Sequence, residues 1–408
     1  MLKGKNVVLG VTGSIAAYKI ADLASMLVKL HANVDVIMTK NAACFINPIT
    51  FETLTKNRCL TDTFDRGDVS EVKHIAVAQR ADVILIAPAS ANFIGKAAHG
   101  IADDMLSTTI LAAGCPVLVS PAMNVNMFNN SAVQENLMIL KRRGVTVIPP
   151  ESGYLACGAT GEGKLPDCRT LLGYILREIA REKDLLGKKI LVTAGPTRES
   201  LDPVRFITNH STGKMGYAVA RQAMLRGAEV TLVTGPVGID PPPFVKTVSI
   251  QSAQELFEAV ASRFEEQDSL IMTASVADYT PLETITEKIK KSGDGADLTL
   301  KLKRTVDVLK WLGEHKKEGQ LVCGFSMETE NMLENSKAKL EKKNADMIAA
   351  NSLRDEGSGF GTDTNRLVLI KKDSVNDLPL LSKEDAADRL LDELFKSQKN
   401  GCRLKTKK

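Results

Sequence analysis

Short runs of consecutive apolar, mostly β-branched residues recur along the chain, separated by longer stretches in which apolar residues return every three or four positions. The first pattern fits strands buried on both faces, as in a parallel sheet, and the second fits amphipathic helices. In the first half, NVVLGVTG (6–13), NVDVIMTK (33–40), ADVILIAPAS (81–90), CPVLVSPAM (115–123) and VTVIPP (145–150) predict strands, with helices over 14–32 and 131–143 between them. After a charged helix ending in REKDLLGKK (181–189) the pattern restarts. ILVTAGPT (190–197), EVTLVTGPV (229–237), SLIMTASVADY (269–279), LVCGFSME (321–328) and ADMIAANS (345–352) predict strands, and helices fall near 214–226, 252–267, 331–343 and 383–396. Two successive series of alternating strands and helices predict two doubly wound α/β domains, 1–187 and 188–408, each with its ligand at the carboxyl ends of its strands.

Composition agrees and narrows the classes. A chain of 408 residues exceeds one domain of ~150 residues, and 44% hydrophobic with 25% charged residues is ordinary for a globular protein. No apolar run approaches the ~18 residues of a membrane span. A net charge of +4 with 4% aromatic residues disfavours a nucleic-acid groove with stacking platforms. The amino-terminal MLKGKNVVLGVTGS enters a strand at once without the apolar segment of a secretory signal, which predicts a cytoplasmic protein. Seven cysteines without CxxC pairs suggest neither a zinc site nor a disulfide framework.

GATGEGKLPD (158–167) looks like a phosphate-binding loop, but Leu165 stands where the hydroxyl belongs and Pro166 disfavours a helix start. Its glycines suit a moving flap, with Cys157 just ahead. In VLGVTGSIAAYK a strand runs through Gly13 and Ser14 into a helix whose amino terminus suits a phosphate. The dinucleotide fingerprint is missing, and the next strand ends in Thr39 instead of an acid, so a mononucleotide is favoured over an NAD-type oxidoreductase. APASAN (87–92) and SPAMN (120–124) place hydroxyls and amides along the same edge, and EVKHIAVA adds His74. A lone histidine at a helix start is often structural, and a free cysteine is most often simply buried.

GVTGSIAAYK, HI, PASAN, PAMNVNMF and ACG, in this order, resemble the homo-oligomeric flavin-containing cysteine decarboxylases over residues 1–180. The resemblance implies FMN at Gly13 and Ser14, with Thr39, Ser90 and Asn92 as partners, and 4'-phosphopantothenoylcysteine as substrate. It implies His74 as base, Asn124 as carboxylate holder and Cys157 as proton donor. Imidazole and thiol, with reference pKa values of ~6.5 and ~8.5, suit those roles. Phe128 departs from the family, which has Trp or Tyr there.

TAGPTRESLDPVRFITNHSTGKMGYAVA (193–220) follows a strand and opens a helix near Gly213, with Lys214 beside amides able to hold phosphate. ASVADY ends in Asp278 just before EKIKK (287–291), an acceptor beside cations, although such a lysine run is usually a solvated face. These segments resemble the phosphopantothenate–cysteine ligases over most of 188–395. That implies CTP contacts at Ala274, Asp278, Lys288, Asp307, Phe325, Lys339 and Lys343, and roles for Arg205 and Asn209 in the acyl-cytidylate step. It also implies Mg2+ at the phosphates, with no metal ligand assignable. Arg304 and Val306 depart from the family pattern in KRTVDVL (303–309).

Together the resemblances imply a flavodoxin-like flavoprotein domain followed by a Rossmann-like ligase domain. They imply consecutive reactions of coenzyme A biosynthesis on the small molecules 4'-phosphopantothenate, L-cysteine and CTP. Family analogy implies a homo-oligomer, trimer-based in the first domain around shared FMN sites and dimeric in the second. A flavin-binding regulatory protein without catalysis is the rival from another class; it predicts loss of His74, Asn124 or Cys157, and all three are present.

Overall fold

The structure is a computed structural model that describes residues 1–64, 72–154, 158, 160–290, 298–328, 330–352 and 357–405, with side chains to residue 396. Chain contacts divide it into two units, Met1–Glu182 and Lys183–Lys408. Residues 183–187 belong with the second unit: Leu185 N–H donates to Arg226 O at 3.0 Å, and Asp184 pairs with the buried Arg226 guanidinium.

In the first unit, strands β1 (Asn6–Val11), β2 (Asn33–Met38), β3 (Val83–Ala89), β4 (Val117–Pro121) and β5 (Thr146–Val147) form one parallel sheet in the order β2-β1-β3-β4-β5. This is the flavodoxin-like order, whose chain reversal between β1 and β3 opens a crevice at their carboxyl ends. Helices α1 (Lys19–Lys29), α2 (Pro48–Thr55), α3 (Lys73–Arg80), α4 (Ala91–His99), α5 (Met105–Leu111), α6 (Val125–Phe128), α7 (Ser131–Arg142) and α8 (Cys168–Ile179) connect or flank the strands. Val8, Ile84, Ile86 and Val119 pack with Phe93, Leu106 and Leu137 in one buried cluster, each such side chain contributing about 1.5–3 kcal/mol by leaving water. A short 3-10 turn, Ile15–Tyr18, precedes α1, so the predicted helix over 14–32 is in fact two pieces.

The glycine-rich stretch is an antiparallel hairpin, β6 (Glu151–Tyr154) with β7 (Thr160–Lys164). No helix starts after Lys164: Leu165 is buried, and α8 begins only at Cys168, capped by Asp167 accepting from Thr170 N–H at 2.6 Å.

The second unit has strands β8 (Lys189–Ala194), β9 (Arg198–Ser200), β10 (Phe206–Thr208), β11 (Glu229–Thr234), β12 (Lys246–Ser249), β13 (Ser269–Met272), β14 (Tyr279–Pro281), β15 (Leu302–Arg304), β16 (Leu321–Glu328), β17 (Met347–Ser352), β18 (Thr364–Asn365), β19 (Val368–Ile370), β20 (Val375–Asp377) and β21 (Leu381–Ser382). The main sheet runs β12-β11-β8-β13-β16-β17, all parallel, and continues antiparallel through β19 and β20. The parallel part has the Rossmann order, 3-2-1-4-5-6. Its helices are α9 (Lys214–Leu225), α10 (Ala253–Phe264), α11 (Val308–His315), α12 (Met332–Lys342) and α13 (Lys383–Lys405).

The strand expected over 269–279 stops at Met272. Thr273 N–H and its hydroxyl both turn to Thr193 O, and Ala274 N–H donates to the Thr193 hydroxyl at 3.1 Å. Residues 274–278 therefore leave the sheet and stand at its carboxyl edge.

Candidate functional site

In the first unit a cavity of about 510 Å³ lies at the carboxyl ends of β1, β3 and β4, lined by Gly13, Ser14, Tyr18, Lys19, Ser90, Met123, Asn124, Met127, Tyr154 and Lys164 among others. The turn after β1 is tied to β3 through Thr12. Its hydroxyl donates to Pro88 O at 2.7 Å and accepts from Ser90 N–H at 2.8 Å. Gly13 passes close to Asn41: a Cβ there would stand 2.7 Å from Asn41 Cβ. Ser14 caps the 3-10 turn and Ser90 caps α4, each hydroxyl accepting a backbone N–H at 3.4 Å. Asn124 caps α6, accepting from Asn126 N–H at 2.8 Å. The hairpin is pinned here too, Met123 N–H donating to Gly163 O at 3.0 Å.

Four expected residues of this unit, Gly13, Ser14, Ser90 and Asn124, thus meet in one cavity. Thr39 follows β2 and accepts from Ala42 N–H at 3.3 Å, and Asn92 is exposed in the first turn of α4; neither is among the described residues that line the cavity. His74, half-buried at the start of α3, does not line it either, and Cys157 lies outside the described residues. Phe128 is buried in the core, whereas Met127 lines the cavity. Tyr18 and Lys19 stand within GVTGSIAAYK and Lys164 within GATGEGKLPD, but neither they nor Tyr154 were assigned a role from the sequence. Among the described lining residues the only formal charges are those two lysines.

The second unit has a two-lobed cleft, the lobes sharing Ala274, Val276 and Phe325. The larger, about 490 Å³, is also lined by Asp278, Tyr279, Arg304, Thr305, Val306, Asp307, Lys339 and Lys343. Six of the seven expected nucleotide contacts converge there, and both departures, Arg304 and Val306, belong to its wall. Lys343 pairs with Asp307, which also caps α11 by accepting from Lys310 N–H at 3.0 Å. Burial opposes ionisation of Asp307, but Lys343 and that amide outweigh it and hold its pKa below the usual carboxylate value. Lys339 Nζ donates to Phe325 O at 3.1 Å, and burial depresses its pKa. The spacing of four residues that places Lys339 and Lys343 on one helical face also delivers them to one cavity.

Lys288, the seventh expected contact, is exposed and outside the described lining. Its segment is held by the Arg205 turn. Asp202 accepts from Val204, Arg205 and Ile289 N–H at 2.7–3.1 Å, and Arg205 pairs with Asp202 and donates to Ile289 O. Burial raises the Asp202 pKa, and the three amides and Arg205 more than reverse this. Asn209 donates to Ser275 O and Val276 O at 3.3 Å, steadying the rim between the lobes. Arg205 and Asn209 therefore touch the cleft's supports and do not line its lobes.

The smaller lobe, about 230 Å³, is lined by Thr212, Gly213, Lys214, Gly216, Ser326, Asn351, Phe360 and Lys383 among others. Gly213, with φ of 77°, starts α9 without a side-chain cap, leaving the first-turn amides for a ligand. Among the described residues no group of three or more His, Cys, Asp or Glu side chains is placed to hold a metal ion. His99 and His315 have structural partners, Asn136 and the face of Trp311. Burial pushes the Cys59 thiol up to about 12 and Cys323 higher still, as expected of inert core thiols.

The fold and clefts define a chain of two α/β domains, each with a ligand-sized cavity at the carboxyl edge of its parallel sheet. Residues 1–180 match the Flavoprotein family, and 185–397 match the DNA/pantothenate metabolism flavoprotein C-terminal domain. The coenzyme A biosynthesis bifunctional protein CoaBC of Bacillus subtilis is 47% identical over 97% of each chain, and that of Escherichia coli 41% identical over 96% of this chain and 97% of its own. A solved C-terminal domain of such a protein is 45% identical, covering 53% of this chain and 98% of its own, with a TM-score of 0.45. The chain belongs to the CoaBC family of bifunctional coenzyme A biosynthesis enzymes, with decarboxylase and ligase activities. Neither an NAD-type oxidoreductase nor a purely regulatory flavoprotein accounts for both halves.

Proposed function

We propose that the larger ligase lobe binds CTP, the smaller lobe binds 4'-phosphopantothenate, and the first-unit cavity binds FMN and the ligated product. The convergence of Ala274, Asp278, Asp307, Phe325, Lys339 and Lys343 in one lobe is the observation that carries this reading. Asp278 accepts from the base amino group, while Lys339, Lys343 and Arg304 face the phosphates. The substrate carboxylate attacks the α-phosphate and pyrophosphate leaves; the amine of L-cysteine then attacks the acyl carbon of the acyl-cytidylate, forming the amide and releasing CMP. Arg205 and Asn209 serve that step by positioning the Lys288 segment and the rim at Ser275 and Val276. Mg2+ would be held mainly by the nucleotide's own phosphate oxygens, in keeping with its preference for few protein ligands; no described side chain is assigned to it.

FMN fits the first cavity. Its volume is in the ~300–1,000 Å³ range of small-molecule sites, its described charges are positive, and Tyr18, Met123, Met127 and Tyr154 offer surface for a flat ring. Bound FMN supplies the oxidation of the cysteinyl side chain that allows carbon dioxide to leave, and the reduction that follows. Gly13, Ser14 and Ser90 hold the cofactor, with Thr39 and Asn92 at the margin of the site. Asn124 orients the substrate carboxylate, His74 takes a proton and Cys157 returns one. The position of His74 outside the described lining of its own chain's cavity supports a homo-oligomer with FMN sites shared between copies; the trimer-based arrangement and the dimeric ligase units follow the family resemblance. We place the protein in the cytoplasm; no described helix is long and apolar enough to cross a membrane.

Mass spectrometry of one reaction containing the protein, 4'-phosphopantothenate, cysteine, CTP and Mg2+ tests the reading. CTP-dependent 4'-phosphopantetheine is the expected product. Accumulation of the cysteine conjugate alone would remove the roles of His74 and Cys157, and absence of any product would remove the substrate assignment.

A further inference from the structure

Lys383 was singled out by no motif, yet it is 6% exposed and lines the smaller lobe. Its ammonium donates to Gly359 O at 3.0 Å and to Thr362 O, and so holds the turn that carries Phe360 against the lobe. An ammonium has three N–H groups, and two are used. Lys214, on the same lobe, donates to Gly361 O at 2.9 Å and pairs at 2.7 Å with Asp363, a carboxylate 89% exposed. The neighbouring acids are otherwise engaged: Glu384 with Arg221 and Gln222, Asp385 with the Ser382 hydroxyl. Two ammoniums therefore meet one solvated carboxylate beside the uncapped start of α9.

We propose that Lys383 is a substrate-binding residue that reads the phosphomonoester of the acid substrate with its third N–H, in concert with Lys214 and the first-turn amides of α9. This rests on assigning the smaller lobe to 4'-phosphopantothenate. The reacting carboxylate must meet the nucleotide α-phosphate in the larger lobe, which leaves the opposite, phosphorylated end for the smaller one. Burial, then repulsion from Lys214, depresses the Lys383 pKa. An incoming dianion compensates for both, giving the lobe a preference for phosphate over a neutral hydroxyl.

The test separates charge from scaffolding. Lys383→Gln keeps N–H donors for the turn carbonyls but removes the charge; Lys383→Met removes both. Ligase KM is measured for 4'-phosphopantothenate, for unphosphorylated pantothenate and for CTP. Both variants are expected to raise KM for the phosphorylated acid about 10-fold or more, as loss of one charge-assisted contact implies. KM for pantothenate and CTP should stay near the parent values, so the preference for phosphate shrinks. If Lys383→Gln keeps the parent preference while Lys383→Met alone is impaired, Lys383 only props the turn and the proposal is overturned. Equal losses for both acids overturn it as well. A parent enzyme with no preference for the phosphorylated acid would instead sink the assignment of the lobe.

Discussion

At the scale of single residues, the ligase cleft is a balance of buried cations and the anions they await. Asp278→Asn should raise KM for CTP about 10–100-fold, the worth of a hydrogen bond to a charged group at ~1.5–3 kcal/mol, while decarboxylation of supplied 4'-phosphopantothenoylcysteine is unchanged. Unchanged ligase kinetics would remove Asp278 from the nucleotide site. Lys339 makes a prediction of opposite character. Burial holds its pKa below 10.5 in the free protein, and phosphates beside it raise the value again. Between the two values the complex holds more protons than the free protein, so CTP binding takes up a proton and weakens as pH rises through that alkaline window. Calorimetry in buffers of different ionisation enthalpy measures the uptake; its absence from Lys339→Met, with uptake in the parent, assigns it. The family resemblance pointed to Asp278, Lys339 and Lys343 because they stand in or near recognisable motifs, although the strand expected to deliver Asp278 ends at Met272. The resemblance missed Asp202, Lys19, Lys164 and Lys383, whose significance lies in contacts between segments distant in sequence.

At the scale of elements, close backbone approach decides which turns can be built. Gly163 has φ of 134°, and a Cβ there would stand 2.3 Å from Met123 O. Gly163→Ala should push β7 off the Met123–Asn124 turn and lower flavin retention, read as visible absorbance per chain after gel filtration. Full retention would show that the hairpin does not shape the cavity. Gly216 serves the other unit, where a Cβ would meet the Thr273 hydroxyl at 2.3 Å and Ala194 Cβ at 2.5 Å. Gly216→Ala should cost about 1–3 kcal/mol, typical of overpacking, seen as a lower melting temperature for the ligase unit alone. Strand positions were legible because parallel strands are apolar on both faces. The β9–β10 and β14–β15 hairpins were not, since short, half-exposed strands lack such a run.

At the scale of the whole molecule, each unit has its own sheet and core, so the two should unfold as separate transitions. CTP at 100 times its Kd adds about 2.7 kcal/mol to the unit that binds it, which for ~150–250 residues raises one melting temperature by about 5–10 °C. The other should not move; a single shared transition in calorimetry would contradict independent units.

The sequence by itself determined two doubly wound α/β halves, the absence of a phosphate-binding loop at 158–167, and the chemistry available to each half, because apolar period, turn residues and motif identity are local properties. Only the tertiary structure decided which of those groups meet. It gathered six of the seven residues expected to contact a nucleotide in one lobe, left His74 outside the described lining of its own chain's cavity, turned Phe128 into the core and brought Lys383 beside Lys214. Strand order and the packing of distant turns set these meetings, and neither is written in any short stretch of the chain.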